Sequence, residues 1–265
     1  MPRTDPETRA EGAHFLSASP EVVARLVAAA GLAPGLHALD VGAGTGALTR
    51  AVAAAVQPGG SVLAVERDAD RAGRLASMAL PGVRVVQGDA LAVRLPPRID
   101  AVVSNPPFRI LPALLRRLLD HGFGHAVLVM PQELAERLTA GPKQEGYGRL
   151  TVQVAARAKA KVLFPLRRKD FDPPPAVPCC VVEIRPKPRD EALDLAMLDT
   201  VLEAAWGAKA RTLRHSLAPL AETLGVPPQA VTEAIAQVNG AARTAAEVSP
   251  WEYTVLAKAL ALTTC

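Results

Sequence analysis

Cysteine is scarce: three residues in 265, two of them adjacent (Cys179, Cys180) and one terminal (Cys265). They form neither a paired disulfide framework nor the spacing of a zinc site. Reduced, small, buried or incidental thiols are therefore expected. The histidines at 14, 37, 121, 125 and 215 are scattered, with no ligand-like pair beside carboxylates, so no catalytic metal is expected. No hydrophobic run reaches the roughly 20 residues a bilayer span requires, and the opening "MPRTDPETRAEGA" has no apolar signal core. The expectation is a cytoplasmic protein with no membrane partner. Asparagine is used sparingly, at 105 and 239.

What is present supports a globular protein. The length suits one medium domain with an appendage, and 49% hydrophobic residues supply a packed core. Thirty Lys and Arg against 26 Asp and Glu give a net charge of +4, which permits a nucleic-acid partner without demanding one. The cations bunch at Arg116-Arg117, at Arg157, Lys159 and Lys161, at Arg167-Arg168-Lys169, and at Lys209, Arg211 and Arg214. Any one bunch alone reads as a solvated face.

From about residue 20 to 183 helical and strand-like segments alternate, the pattern of an α/β domain with a largely parallel sheet. The strands expected are "HALDV" (37 to 41), "SVLAV" (61 to 65), "VRVV" (83 to 86), "DAVVS" (100 to 104) and "AVLVM" (126 to 130), with two more near 150 to 164 and 179 to 185. The proline-rich, basic "FPLRRKDFDPPPAVP" between those two is too long for a mere connection. "RPKPRDE" has linker composition, and beyond it only helical patterns follow. The division expected is 1–187 for a catalytic domain and 188–265 for a small helical domain.

The chemistry gathers at strand ends. "DVGAGTGALT" places Gly42, Gly44 and Gly46 at the turn between the first strand and its helix, where glycines let the backbone approach a cofactor. The spacing G-x-G-x-G, rather than G-x-G-x-x-G, points to S-adenosylmethionine (SAM) instead of a nicotinamide. Glu66 ends the second strand, about 20 residues on, where a carboxylate can accept both hydroxyls of a ribose. Asp89 ends the third, where a carboxylate can accept the exocyclic amine of the cofactor's adenine.

"SNPPF" ends the fourth strand. By itself Asn-Pro-Pro reads as a turn that stops the sheet ladder. Beside a SAM site it acquires a chemical reading. An amine such as N6 of adenine is a poor nucleophile because its lone pair is delocalised. The Asn105 side-chain oxygen and the Pro106 carbonyl can accept its two hydrogens and aim the lone pair at the methyl. Phe108 can stack on a flipped-out base.

These residues resemble the ribosomal RNA adenine N6-dimethyltransferases of the KsgA type, with the Erm resistance methyltransferases as close relatives. "HFL" (14 to 16), "LDVGAGTGALT", "AVERD", "GDAL" and "NPPF" look like that family's cofactor and catalytic motifs, followed by "YGRLTVQV", "FDPPPAV" and "ARTLRHSL". The resemblance implies a Rossmann-like class I SAM-dependent methyltransferase sheet with a C-terminal all-helical domain that contributes to RNA binding. It implies that His14, Leu16, Gly42, Gly44, Glu66, Asp89 and Asn105 contact SAM, and that Phe108 and Phe171 sandwich the target adenine. Without it, Phe171 reads as a loop anchor in the core and His14 as a capping residue. Arg167, Arg168, Lys169, Lys209, Arg211 and Arg214 are the candidate RNA contacts.

The function expected from the resemblance is N6-dimethylation of adjacent adenosines in the 3'-terminal hairpin of small-subunit (16S) ribosomal RNA, by a monomer acting on the RNA or a small-subunit precursor during ribosome biogenesis. An Erm-like action on 23S RNA and a non-catalytic nucleic-acid-binding protein of the transcription-factor type are the alternatives. Pro106 stands where the family usually has Leu or Ile, which also likens the motif to the Asn-Pro-Pro-Tyr/Phe of glutamine methyltransferases. Those lack "HFL", "FDPPPAV" and the helical tail.

Overall fold

The five runs of β-branched and apolar residues expected as strands all pair into one sheet. The computed structural model describes residues 15–16 and 20–263. Its strands are β1 (Phe15–Leu16), β2 (His37–Val41), β3 (Ser61–Glu66), β4 (Val83–Gln87), β5 (Ala101–Ser104), β6 (His125–Pro131), β7 (Ala158–Leu166), β8 (Phe171–Asp172) and β9 (Cys179–Pro186). Seven form a sheet in the order β4-β3-β2-β5-β6-β9-β7, and β1 pairs antiparallel with β8. Strands β2 to β6 are mutually parallel, and β9 runs antiparallel to β6.

Helix α1 (Pro20–Ala29) leads into β2, and α2 (Ala47–Val56), α3 (Ala69–Ser77) and α4 (Leu111–His121) join β2 to β3, β3 to β4 and β5 to β6, each helix burying an apolar stripe. Strands β5 and β6 are buried along nearly their whole length, as expected of a sheet covered on both faces. Chain order runs outward from β2 to β4 and then returns to β5 on the other side of β2. That reversal creates a crevice at the carboxyl ends of β2 and β5, where open α/β sheets bind ligands.

The chain divides into two compact units, one comprising 1–135 and 159–186, the other 136–158 and 187–265. The second unit therefore takes in a segment assigned to the sheet domain from the sequence. Within it lies a correction. The strand expected near 150 to 164 begins at Ala158, and the residues before it form a helix, α6 (Arg149–Ala155). "RLTVQVA" is rich in β-branched residues. Yet Gly148 N–H donates to Thr151 Oγ1, Thr151 Oγ1 donates to the Arg137 carbonyl, and Thr151 to Val154 are all buried. Packing overrides propensity here.

The remaining helices are α5 (Gln132–Thr139), α7 (Leu195–Gly207), α8 (Leu213–Leu217), α9 (Leu220–Leu224), α10 (Pro228–Gln237) and α11 (Pro250–Ala261). The core of the second unit gathers Leu198, Val201, Leu202, Leu213, Leu217, Ile235, Leu256 and Leu260. Tyr147 and Tyr253 point their hydroxyls at the carbonyls of Val248 and Ala245. Arg243 braces Glu252, whose pKa falls to about 2 mainly through that ion pair. Cys179 and Cys180 are buried, and burial pushes the Cys179 thiol up to about 11. No helix among the described residues is long and apolar enough to cross a membrane.

Candidate active site

Backbone pairing of β2 with β5 runs through Ala38–Ala101 and Leu39–Val102. Beyond it the Ser104 side chain takes over, its Oγ accepting the Val41 N–H at 2.8 Å. Ser104 is fully buried, so this hydroxyl satisfies a backbone donor just where the crevice opens. The Gly42 and Ala43 amides turn instead to the Val65 carbonyl of β3, at 2.8 and 3.1 Å.

The glycine loop and the Asn-Pro-Pro-Phe loop are nested. Gly42 has φ +73, and a Cβ there would lie 2.9 Å from Pro107 Cδ and 3.5 Å from the Asn105 carbonyl oxygen. Only glycine allows both that left-handed backbone and that approach. Gly46, at φ +79, would drive a Cβ to 2.4 Å from Leu75 Cδ1, so it sets how closely α2 approaches α3.

Glu66 is buried at the end of β3. Its Oε2 accepts the Gly44 N–H at 2.7 Å and its Oε1 the Asp68 N–H at 2.9 Å, so one carboxylate fixes the glycine loop and the start of α3. Asp89, past β4, is exposed on the crevice wall; its Oδ1 accepts the Leu91 N–H at 2.8 Å. Both carboxylates retain lone pairs for a ligand's donors.

One crevice is lined by Gly42, Glu66, Asp89, Asn105, Pro106 and Phe108 together. Gly44 joins them through its bond to Glu66. Phe171 does not line it: the ring is 3% exposed and packs in the sheet core with Leu166 and Val181. His14 lies outside the described residues, and of Leu16 only the backbone pairing with Phe171 is described. Arg167, Arg168 and Lys169 are exposed, and Arg167 is tied to Asp170 at 3.1 Å. In the second unit Lys209, Arg211 and Arg214 are exposed at the turn into α8, and none is in a salt bridge among the described residues.

Asp40 was not singled out from the sequence. It is 1% exposed on the crevice floor and accepts Thr49 Oγ1 at 2.7 Å. Burial, helped by the Glu66 charge, raises its pKa to about 7 against the lowering effect of Thr49 and Ser104. The signal was available: an acidic residue inside an apolar strand, one position before the last residue of that strand and two before the glycine turn.

Residues 8–251 match the sequence profile of the family described as Ribosomal RNA adenine dimethylase. The chain belongs to that family. SAM is accordingly its cofactor, and the residues present fit it: a glycine turn too close to Pro107 for any side chain, with carboxylates at the ends of β3 and β4. The chain is 35% identical over 222 residues to a ribosomal RNA small subunit methyltransferase A of Azorhizobium caulinodans, spanning 79% of this chain and 74% of the relative.

In structure, a dimethyladenosine transferase from Plasmodium falciparum superposes with a TM-score of 0.82 at 22% identity, over 91% of this chain and 96% of that one, a likeness of fold. The 23S rRNA methyltransferase ErmE gives 0.68 at 25% identity, over 93% and 99%. The fold is that of the class I SAM methyltransferases, with a helical C-terminal region.

Proposed function

We propose that this enzyme dimethylates N6 of adjacent adenosines in the 3'-terminal hairpin of small-subunit ribosomal RNA, acting as a cytoplasmic monomer in ribosome biogenesis. The observation that carries the reading is the nesting of Gly42 against Pro107, which holds a cofactor loop and an amine-accepting loop in van der Waals contact. Kinship with small subunit methyltransferases A supports the choice of RNA over the Erm-like alternative.

Bound SAM supplies an electrophilic methyl group. Glu66, while it holds the Gly44 amide, keeps lone pairs that would accept the ribose hydroxyls, and Asp89, bonded to the Leu91 amide through one oxygen, would accept the cofactor's adenine amine. Resemblance to the family assigns His14, outside the described residues, and Leu16 to the cofactor as well. At the target, the Asn105 side-chain oxygen and the Pro106 carbonyl accept the two N6 hydrogens. This pulls the nitrogen towards tetrahedral geometry and frees its lone pair. Prolines at 106 and 107 add no competing backbone donor. The nitrogen proton becomes acidic only as the new N–C bond forms, so no strong base is required. Phe108, partly exposed on the crevice, stacks on the flipped base. Phe171 serves the core in this conformation and joins the target base only if it leaves it.

The exposed cations Arg168, Lys169, Lys209, Arg211 and Arg214, with Arg167 partly neutralised by Asp170, supply the phosphate contacts. The test is incubation of purified protein and methyl-labelled SAM with under-methylated small subunits and, in parallel, with large-subunit RNA, followed by mapping of the modified nucleotides. Two neighbouring dimethyladenosines in the terminal hairpin are expected. Label on large-subunit RNA instead would favour the Erm-like reading, and no label at all would favour a binding protein.

A further inference from the structure

Arg117 belongs to the basic pair at 116 and 117 that reads from sequence as a solvated face. In the structure the two residues part company. Arg116 is exposed, whereas Arg117 is partly buried, and its guanidinium donates from Nη1 to the Ala90 carbonyl and from Nη2 to the Val93 carbonyl. Residues 88–100 contain no helix or strand. Their first turn is held locally by Asp89, whose carbonyl accepts the Ala92 and Val93 amides and whose Oδ1 accepts the Leu91 amide. Local bonds of this kind shape a turn but do not anchor it to the rest of the fold. The sheet holds the two ends of the segment, the Gly88 N–H donating to the Glu66 carbonyl at 2.9 Å and Ile99 and Asp100 bonding to Gly124 and His37. The turn between them is tied to α4 through Arg117 at Ala90 and Val93 and through His121, which meets the Pro96 carbonyl at 2.7 Å.

Helix α4 is itself rigidly placed. Leu111, Leu114, Leu115 and Leu118 are all buried, and the helix follows Phe108 after a single 3-10 turn. A bidentate guanidinium on such a helix fixes two carbonyls in one plane, which a single lysine ammonium cannot do. The side chain thus ties the turn that presents Asp89 to the helix that carries the Asn-Pro-Pro-Phe loop.

We propose that Arg117 is a positioning residue that holds Asp89 in register with the methyl-transfer loop and so determines how strictly the site selects the 6-amino group of the cofactor's base. The inference rests on the reading of Asp89 as the acceptor of that amine. If Arg117 is lost, Asp89 stays tethered on one side by the Gly88 bond to Glu66, but the turn after it is no longer tied to α4, and a carboxylate aimed at one exocyclic group loses its aim.

The test is equilibrium binding, by calorimetry, of S-adenosylhomocysteine and of S-inosylhomocysteine, in which an oxo group replaces the 6-amino group. The parent protein should prefer the adenine compound by about tenfold or more, the scale of one hydrogen bond to a carboxylate. Arg117→Met should bring the two within about threefold. Arg117→Lys, which keeps a cation but not the fork, should fall between, and Arg116→Met should match the parent. Amide hydrogen exchange of residues 90 to 93 in the ligand-free protein should quicken in Arg117→Met, a readout independent of any ligand.

A parent-like preference in Arg117→Met and Arg117→Lys, with Asp89→Ala having lost it, would overturn the role of Arg117 and leave Asp89 in place. A preference that survives Asp89→Ala would overturn the reading of Asp89 and this inference with it.

Discussion

Replacing Asp40 with Asn tests whether the crevice floor carries a carboxyl group held neutral by burial. In the folded chain this group titrates near 7 rather than at its ordinary 3.8, with desolvation as the leading cause. A gap of about three on the pH scale, at about 1.4 kcal/mol each, amounts to on the order of 4 kcal/mol between the protonated and ionised forms. The sign follows from linkage. Between about pH 4 and pH 7 the native state holds a proton that the unfolded chain has released, so stability falls as pH rises through that window and levels off above it. Asn cannot ionise, and its side-chain oxygen can still accept from Thr49.

The amide introduced by Asp40→Asn adds a pH-independent offset, so the slope rather than the intercept is decisive. The difference in unfolding free energy between Asp40→Asn and the parent should shift in favour of the variant as pH rises from about 4 to about 7, by up to roughly the 4 kcal/mol above. Carboxylates held below their ordinary range, Asp100 and Asp170 among them, lose their stabilising effect as pH falls. They do so equally in both proteins and cancel in the difference. Urea unfolding across the series, with hydrogen exchange of the β2 and β5 amides isolating the sheet unit, makes the measurement. A difference that stays constant with pH would refute the buried, neutral Asp40.

Asn105→Ala should nearly abolish methyl transfer while leaving SAM affinity within a few-fold, since the lost acceptor serves the target amine in the transition state; calorimetry with turnover assays separates the two effects, and parent-like turnover would remove Asn105 from the chemistry. The two phenylalanines should separate by assay. Phe108→Leu should harm turnover through about 1 to 3 kcal/mol of lost stacking, with Tyr tolerated, while Phe171→Ala should cost about 3 to 5 kcal/mol of folding stability. Equal tolerance of Leu and Tyr at 108 would assign that ring to packing. Reversing the charges of Lys209, Arg211 and Arg214 in a folded protein should weaken RNA binding and flatten the slope of log affinity against log salt by about two to three. An unchanged slope would leave the RNA surface to the Arg167-Arg168-Lys169 loop.

Five strands were legible in the sequence because each is a short apolar run bounded by Gly, Pro, Asp or Asn. The strand ends carrying Gly42, Glu66, Asp89 and Asn105 were legible for the same reason: local pattern determines where a strand stops, and parallel strands stop on one side of a sheet. Other features depended on partners distant in sequence. "RLTVQVA" has strand composition, but burial of Thr151 to Val154 in a helical core makes it α6. Phe171 carries a motif that points to the target base, yet the fold packs it against the sheet. Asp40 differs from any other strand Asp only because burial strips it of water and leaves Thr49, Ser104 and Glu66 around it. Arg116 and Arg117 are identical residues side by side, and α4 turns one to solvent and the other onto two carbonyls. Strand ends, caps and glycine turns are set by neighbours along the chain. Desolvation and the choice of a hydrogen-bond partner are set by neighbours in space, which only the tertiary structure supplies.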